Sequence, residues 1–213
     1  MRPTIIVREA NSFIAQRKNL GRLRLVYHRI RAAILYRFAD AIIVNSKGSK
    51  KELSKAAFLS ESRIQILNNP IDLNNIHESA KSKIPDKIKR FIDKDNYIVA
   101  VGRLEYAKGF DVLIKAYSKI KNTEYKLIII GNGSQREYLE SLIIQLGLEN
   151  KVLLAGHLNN PYPIIQNASL FVLSSRYEGM PNVLIEALSL KLPIVSTDCP
   201  SGPRELLKDG QLG

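Results

Sequence analysis

Cysteine is nearly absent: Cys199 is the only one in 213 residues, so no disulfide can form within the chain. That suits a reducing compartment such as the cytoplasm, and a lone thiol of this kind is expected to be buried and inert. Long apolar runs are missing too. No stretch approaches the ~18–20 consecutive apolar residues of a membrane-spanning helix, although 45% of the residues are hydrophobic, an ordinary supply for a globular core. The opening MRPTIIVREANSF lacks the positive-then-apolar layout of a secretory leader. His, Cys and Asp nowhere cluster with ligand spacing, so no protein-bound metal site is expected. Internal repeats and low-complexity segments are also lacking.

Acidic residues are scarce at one end. Residues 1–60 hold thirteen Lys or Arg against Glu9, Asp40 and Glu52, most of the net charge of +12. Between Arg17 and Arg37 there are seven basic residues and no acidic one. Leu23, Tyr27, Ile30, Ile34 and Phe38 recur there at steps of three or four, which predicts an amphipathic helix with a basic flank. Two roles fit it: a helix packed on the core by its apolar stripe, or a surface drawn to anionic lipid through segment 17–37. No known nucleic-acid-binding motif or interleaved aromatics accompany the charge, so nucleic acid is not an expected partner.

The remaining chain alternates. Strands are predicted near Thr4 to Val7, Ala41 to Asn45 and Ile64 to Leu67, with a helix beginning near Ser46. A polar, Lys-rich stretch to Asp95 contains no strong strand. From Tyr97 onward strands fall near 97–101, 126–130, 151–155, 169–173 and 193–197, with helical segments between them. Runs such as Lys126-Leu-Ile-Ile-Ile130 are continuously apolar, as parallel strands covered on both faces require. The expected class is α/β, a Rossmann-like doubly wound parallel sheet.

The segment SSRYEGMPNVLIEAL, from Ser174 to Leu188, carries the most chemistry. It joins the short strand before it to a helix predicted over Val183 to Leu190, with Asn182 as N-cap. Gly179 permits a tight turn, and Pro181 removes a backbone donor where the helix is about to begin. Glu178 then lies in the loop at the strand's carboxyl end and Glu186 about one turn into the helix. Ligands of doubly wound sheets bind at that edge. Phosphate on a helix N-terminus, with hydroxyls on two carboxylates, describes a sugar nucleotide. By spacing alone, the pair also reads as two ordinary surface glutamates. Arg103 and Lys108, in GRLEYAKG, follow a strand that ends at Gly102 and precede a helix opened by Gly109, so both cations reach the same edge and can hold a diphosphate. Glu105 could instead pair with either. Gly131-Asn-Gly133 is a weaker signal, read as a tight turn or as proximity to the nucleotide. Ser201-Gly-Pro-Arg-Glu205 suggests a further loop at that edge.

These segments together resemble the E-x7-E glycosyltransferases of family 4, retaining enzymes with the two-domain GT-B fold. AVGRLEYAKGFDVLIKAY resembles their donor-phosphate segment and LIIIGNGSQREYLESL their second βα unit; VLLAGHLNNPYPIIQNASLFVLSSRYEG follows in the family's order. Upstream, ADAIIVNSKGSKKEL and IQILNNPIDL resemble the approach to the interdomain linker. The resemblance implies that Glu178 contacts the donor sugar near the reacting carbon, that Glu186 holds the ribose, and that Arg103 and Lys108 hold the diphosphate. Gly179, Met180, Pro181, Asn182 and Val183 complete the donor site, and Gly156 and Leu158 meet the base through backbone groups. His157, His28 and His77 are not expected to act as bases. The implied reaction moves a hexose or N-acetylhexosamine, UDP-linked, to a glycan or lipid-linked acceptor in cell-surface polysaccharide or glycolipid synthesis. No permanently bound cofactor is implied. The resemblance divides the chain into a partial acceptor-side domain (1–72), a linker (73–95) and a donor domain (96–213) cut short at its end, a fragment expected to be inactive alone and to expose strand edges and apolar faces. A fragment that only binds a nucleotide sugar, and a sugar-nucleotide 2-epimerase of the same fold, are the competing readings. The expected location is the cytoplasm, peripheral to the inner face of the cell membrane.

Overall fold

Eight parallel strands in two sheets organise the protein, seen in a computed structural model that describes residues 3–10, 12–13, 21–92, 96–120, 123–199 and 201–212. The chain divides into two compact units. Unit 1 comprises Met1–Pro70, Tyr177–Pro181 and Asp198–Gln211; unit 2 comprises Ile71–Arg176, Asn182–Thr197 and Leu212–Gly213.

Unit 1 contains β1 (Ile6–Glu9), α1 (Arg22–Leu35), β2 (Ala41–Val44), α2 (Lys47–Ala57), β3 (Ile64–Ile66) and, later in the chain, the short α9 (Pro203–Leu206). The strands form a parallel sheet ordered β1-β2-β3, with Ile6 opposite Ala41 and Ile42 opposite Ile64. β1 begins two residues later than its apolar pattern suggests. The Asp40 carboxylate accepts from the Ile5 N–H (2.9 Å), while the Ile5 carbonyl accepts from the Asp40 N–H (2.8 Å), so Ile5 is bound to Asp40 and the ladder starts at Ile6. Ser46 caps α2, accepting from the Ser49 N–H at 3.0 Å.

The helix α1 departs from the first of the two roles that its pattern fits. Its predicted core-facing stripe is turned outward: Leu23 is 88% exposed, Phe38 just beyond the helix 65%, and Tyr27, Ile30 and Ile34 each more than 50%. The buried side is the small Ala32. Beside it Arg29 donates to the carbonyls of Ala56 (3.1 Å) and Lys55 (3.3 Å) and lies 5.1 Å from the Phe58 ring centre. A cation placed on the last carbonyls of α2 satisfies acceptors that the helix cannot. Residues 17–20 of the basic segment lie outside the described residues.

Unit 2 opens with α3 (Leu73–Ala80) and α4 (Asp86–Ile92), in the stretch that shows no strand pattern. Then come β4 (Tyr97–Val101), α5 (Phe110–Tyr117), β5 (Lys126–Ile130), α6 (Arg136–Gln145), β6 (Val152–Gly156), α7 (Tyr162–Gln166), β7 (Leu170–Leu173), α8 (Asn182–Ser189) and β8 (Ile194–Ser196). The parallel sheet is ordered β6-β5-β4-β7-β8. Leu127 to Ile130 are at most 2% exposed, as the unbroken apolar run requires. β5 and β6 lie on one side of β4, β7 and β8 on the other. The order therefore reverses between β4 and β7, and in open α/β sheets ligands bind outside the carboxyl ends of the strands at such a reversal.

Candidate functional site

The two strands at the reversal end in the two charged segments. After β4 the chain passes through Gly102 and Arg103 to a 3-10 turn, Tyr106–Lys108, and then enters α5. After β7 it passes through Ser174, Ser175 and Arg176. These loops are bound to each other. The Ser174 Oγ donates to the Lys108 carbonyl at 2.8 Å, and the Arg176 N–H to the Ala107 carbonyl at 2.7 Å. The Arg176 guanidinium donates to both Asp111 oxygens (2.8 and 2.7 Å) and to the Tyr106 carbonyl (2.8 Å), and stacks 4.1 Å from the Tyr106 ring centre. That pairing holds the Asp111 carboxyl below the usual carboxylate range. Gly109, at φ 63°, allows the close approach, since a Cβ there would lie 2.2 Å from the Ser174 carbonyl oxygen.

On this braced loop Arg103 is exposed and Lys108 half-buried, its alkyl stem lying along Gly102. Glu105 accepts from the Ser134 N–H (3.1 Å) and Oγ (2.8 Å), which binds the β4 loop to the one after β5. Those bonds hold the Glu105 carboxyl below its ordinary value, with Arg103 a minor contributor. In Gly131-Asn-Gly133 the first glycine leaves no room for a side chain: a Cβ would fall 1.8 Å from the Gly102 carbonyl oxygen. Close packing of two loops therefore accounts for that glycine.

Glu186 lies one turn into α8, half-buried, and burial pushes its carboxyl above the ordinary value. Tyr162, at the start of α7, has its hydroxyl shifted upward by burial and then by the Glu186 charge, so the two groups are neighbours. Gly156 ends β6, His157 is exposed and Leu158 half-buried. The helix α8 includes Asn182 as its first residue, so Asn182 stands inside the helix and not before it as N-cap; Asn182 is exposed and Val183 half-buried.

Glu178, Gly179, Met180 and Pro181 belong to unit 1. All four are buried, and Glu178 is only 6% exposed. It is no ordinary surface glutamate. The Ser201 Oγ donates to its carbonyl at 2.6 Å. Cys199 is likewise buried, as expected. Among the described residues no group of three or more His, Cys, Asp or Glu could hold a metal ion.

Sequence reasoning overlooked Arg176, Asp111, Tyr106 and Tyr162. The arginine immediately before Tyr177-Glu178 was a visible signal, but its partner lies 65 positions away.

A parallel sheet with charged loops at its order reversal defines a Rossmann-like class of domain, binding at strand carboxyl ends. Within that class the chain belongs to the glycosyl transferases group 1 family, whose model matches residues 81–213. It is 41% identical over 181 residues, 85% of this chain and 47% of the relative, to an N-acetylgalactosamine-N,N'-diacetylbacillosaminyl-diphospho-undecaprenol 4-alpha-N-acetylgalactosaminyltransferase of Campylobacter jejuni. To a lipopolysaccharide 1,6-galactosyltransferase of Salmonella typhimurium it is 32% identical over 182 residues, 83% of this chain and 48% of the relative. Among solved structures, Anabaena Alr3699/HepE in complex with UDP and glucose matches with a TM-score of 0.75 at 22% identity, over 97% of this chain and 55% of that one. The chain thus spans about half the length of the curated relatives it matches. The fold is that of GT-B glycosyltransferases.

Proposed function

We propose that the protein takes part in moving a hexosyl or N-acetylhexosaminyl group from a UDP-linked sugar to a glycan or lipid-linked acceptor, with retention of configuration, in the synthesis of a cell-surface polysaccharide or glycolipid. The observation that carries this reading is the place of Arg103 and Lys108, on a braced loop after β4 where the sheet order reverses. Family membership supports the transferase class. The relatives' names, which specify a diphospho-undecaprenol-linked acceptor and a lipopolysaccharide, support the acceptor class. A neighbour bound to UDP and glucose supports the donor.

In this reading Arg103 and Lys108 hold the diphosphate, and the first turn of α8 with Asn182 and Val183 adds N–H groups to it. Glu186 accepts from the ribose hydroxyls, and the backbone of Gly156 and Leu158 meets the base. Glu178 orients the sugar, with Gly179, Met180 and Pro181 shaping its turn. The bond from the anomeric carbon to the diphosphate oxygen breaks while the acceptor oxygen bonds that carbon on the same face. The acceptor's proton passes to the departing diphosphate oxygen. The cations stabilise the charge that develops there, commonly the largest single contribution to such a step.

The exposed stripe of α1, flanked by the exposed Arg24, Arg31 and Arg37, supports contact with an anionic membrane surface at the cytoplasmic face. Nucleic acid has no part in this reading.

Because the relatives are about twice as long, binding is the direct test. Nucleoside diphosphates and their sugars are titrated against the 213 residues in a thermal-shift panel. A ligand at a hundred times its dissociation constant stabilises by about 2.7 kcal/mol, roughly 5–10 °C for a chain of this size. Glu186→Ala should abolish most of the shift by UDP, and Lys108→Ala should reduce it for UDP and UDP-sugars alike. If UDP, GDP and ADP all leave the melting temperature unchanged at millimolar concentration, the donor-site reading is wrong.

A further inference from the structure

Glu178 stands on an irregular turn, and turns hold side chains less closely than helices and strands do. In unit 1 this turn is held from two sides. On one side lies the carboxyl end of β2. The Asn45 side chain, 1% exposed, donates through Nδ2 to the Ala10 carbonyl at 2.8 Å. Gly179 presses against both residues: a Cβ there would fall 2.2 Å from the Ala10 carbonyl oxygen and 2.9 Å from Asn45 Oδ1. Among the described residues that Oδ1 is a buried acceptor with no hydrogen-bond partner. An α-hydrogen of Gly179 is directed towards it, a weak contact.

On the other side lies Ser201-Gly202. The buried Ser201 Oγ donates to the Glu178 carbonyl at 2.6 Å. A Cβ on Gly202 would fall 2.3 Å from the Gly179 carbonyl oxygen and 2.8 Å from the Pro181 ring. This second side has its own anchor. Glu205, two residues into α9 from Pro203, accepts from the Gly48 N–H at 2.6 Å, at the first turn of α2. A carboxylate at a helix N-terminus is favourably placed. The chain from α2 through Glu205 to Ser201 and on to Glu178 is therefore continuous.

We infer that Ser201, Gly202 and Asn45 are positioning residues, which fix the turn bearing Glu178 without touching the donor themselves. This rests on the proposed role of Glu178 toward the sugar. A purely structural role would weaken nucleotide and nucleotide-sugar binding together. Positioning separates them, because only the sugar depends on Glu178.

The test is calorimetric titration of the 213-residue chain with UDP and UDP-glucose, GDP and GDP-mannose, and ADP and ADP-glucose. Whichever pair the unsubstituted protein binds is carried to the variants. Glu178→Gln should weaken the sugar nucleotide and spare the free diphosphate. Ser201→Ala should do the same, about five- to tenfold against less than twofold, the factor expected for one lost hydrogen bond. Gly202→Ala should be more severe. Ser201→Cys, a weak donor of similar size, gives an intermediate loss and serves if the alanine variant does not fold. If Glu178→Gln weakens the sugar nucleotide while Ser201→Ala and Gly202→Ala do not, positioning is refuted and the donor site stands. Equal losses for diphosphate and sugar nucleotide in a folded Ser201→Ala protein also refute it. If none of the diphosphates binds the unsubstituted chain, the donor reading fails, and this inference with it.

Discussion

Replacing Arg176 by alanine removes the brace between the β4 and β7 loops, and its cost can be worked out from the geometry. The Arg176 and Asp111 side chains are 25% and 19% exposed, between the surface and the interior. An exposed pair contributes about 0–1 kcal/mol, and breaking a buried one costs about 3–5. A bidentate pair of intermediate exposure should therefore contribute about 2 kcal/mol. The stacking on Tyr106 adds roughly 0.5–1. Arg176→Ala is expected to destabilise by about 2–3 kcal/mol, lowering the melting temperature by roughly 5–10 °C. A double-mutant cycle with Asp111→Ala, followed by circular dichroism, should return a coupling of about 1.5–2 kcal/mol. The sign of the pH dependence is also set. Asp111 has a lowered carboxyl value in the folded protein, chiefly through its hydrogen bonds to Arg176. Its contribution is therefore complete above the unfolded aspartate value of about 3.9 and is lost as pH falls through the lower folded value. The stability gap between the unsubstituted protein and Asp111→Asn should stay constant from pH 7 to pH 5 and shrink only below about pH 4. A coupling under about 0.5 kcal/mol, or a gap that closes between pH 7 and pH 5, would refute the reasoning.

Gly109→Ala should destabilise by at least about 3 kcal/mol, whereas Gly147→Ala should cost only about 1. Both glycines have φ near 65°, but a Cβ on Gly147 meets nothing within 4 Å. Equal costs in urea denaturation would show that the close approach to Ser174 is immaterial. Burial raises the Glu186 carboxyl, so UDP affinity should increase with pH as this group ionises, whereas Glu186→Gln keeps only the dependence due to the terminal phosphate of UDP itself. The same shift makes the ligand-free protein lose stability as pH rises from the ordinary glutamate value through the raised one. An unchanged UDP profile in the Gln variant would remove Glu186 from the nucleotide. Vesicles containing anionic lipid should cosediment the protein at low salt and release it at high salt, each basic residue near the surface contributing about 1 kcal/mol. Leu23→Asp with Ile30→Asp should abolish this with little effect on stability, since both side chains are exposed. Equal recovery with neutral vesicles would exclude the lipid surface.

How far the sequence reached follows from what each element packs against. β4 and β5 were legible to the residue because burial on both faces demands an unbroken apolar run, ended sharply by Gly102 and Gly131. β1 was not, because an edge strand tolerates Arg8 and Glu9 and yields Ile5 to hydrogen bonds with the distant Asp40. In α3 and α4 the fully buried positions are only Ile76 with Ala80 and Ile88 with Ile92, too few for a periodic signal in a Lys-rich background. The period of α1 was read correctly, yet period identifies a stripe and not what lies on it. α1 meets α2 through the face with Ala32 and Arg29, where the guanidinium donates to the last carbonyls of α2.

The candidate site divides along the same line. A motif places charged groups on loops through local constraints: a strand that ends, a glycine that turns, a helix that begins. It therefore singles out Glu178, Glu186, Arg103 and Lys108 as candidates. What gives those groups a fixed geometry is not local. Arg176 finds Asp111 across 65 positions, Ser201 reaches Glu178 across 23, and Gly48 meets Glu205 across 157. None of these pairs is closer in sequence than a helix and a strand together, so no window of periodicity or turn chemistry can contain both partners. The first two pairs also rely on a glycine whose hydrogen occupies the place of a side chain, Gly109 in unit 2 and Gly179 with Gly202 in unit 1. In the sequence those glycines pass for turn formers. In the fold they are points where two backbones meet, and substitutions there should disturb ligand recognition as well as stability.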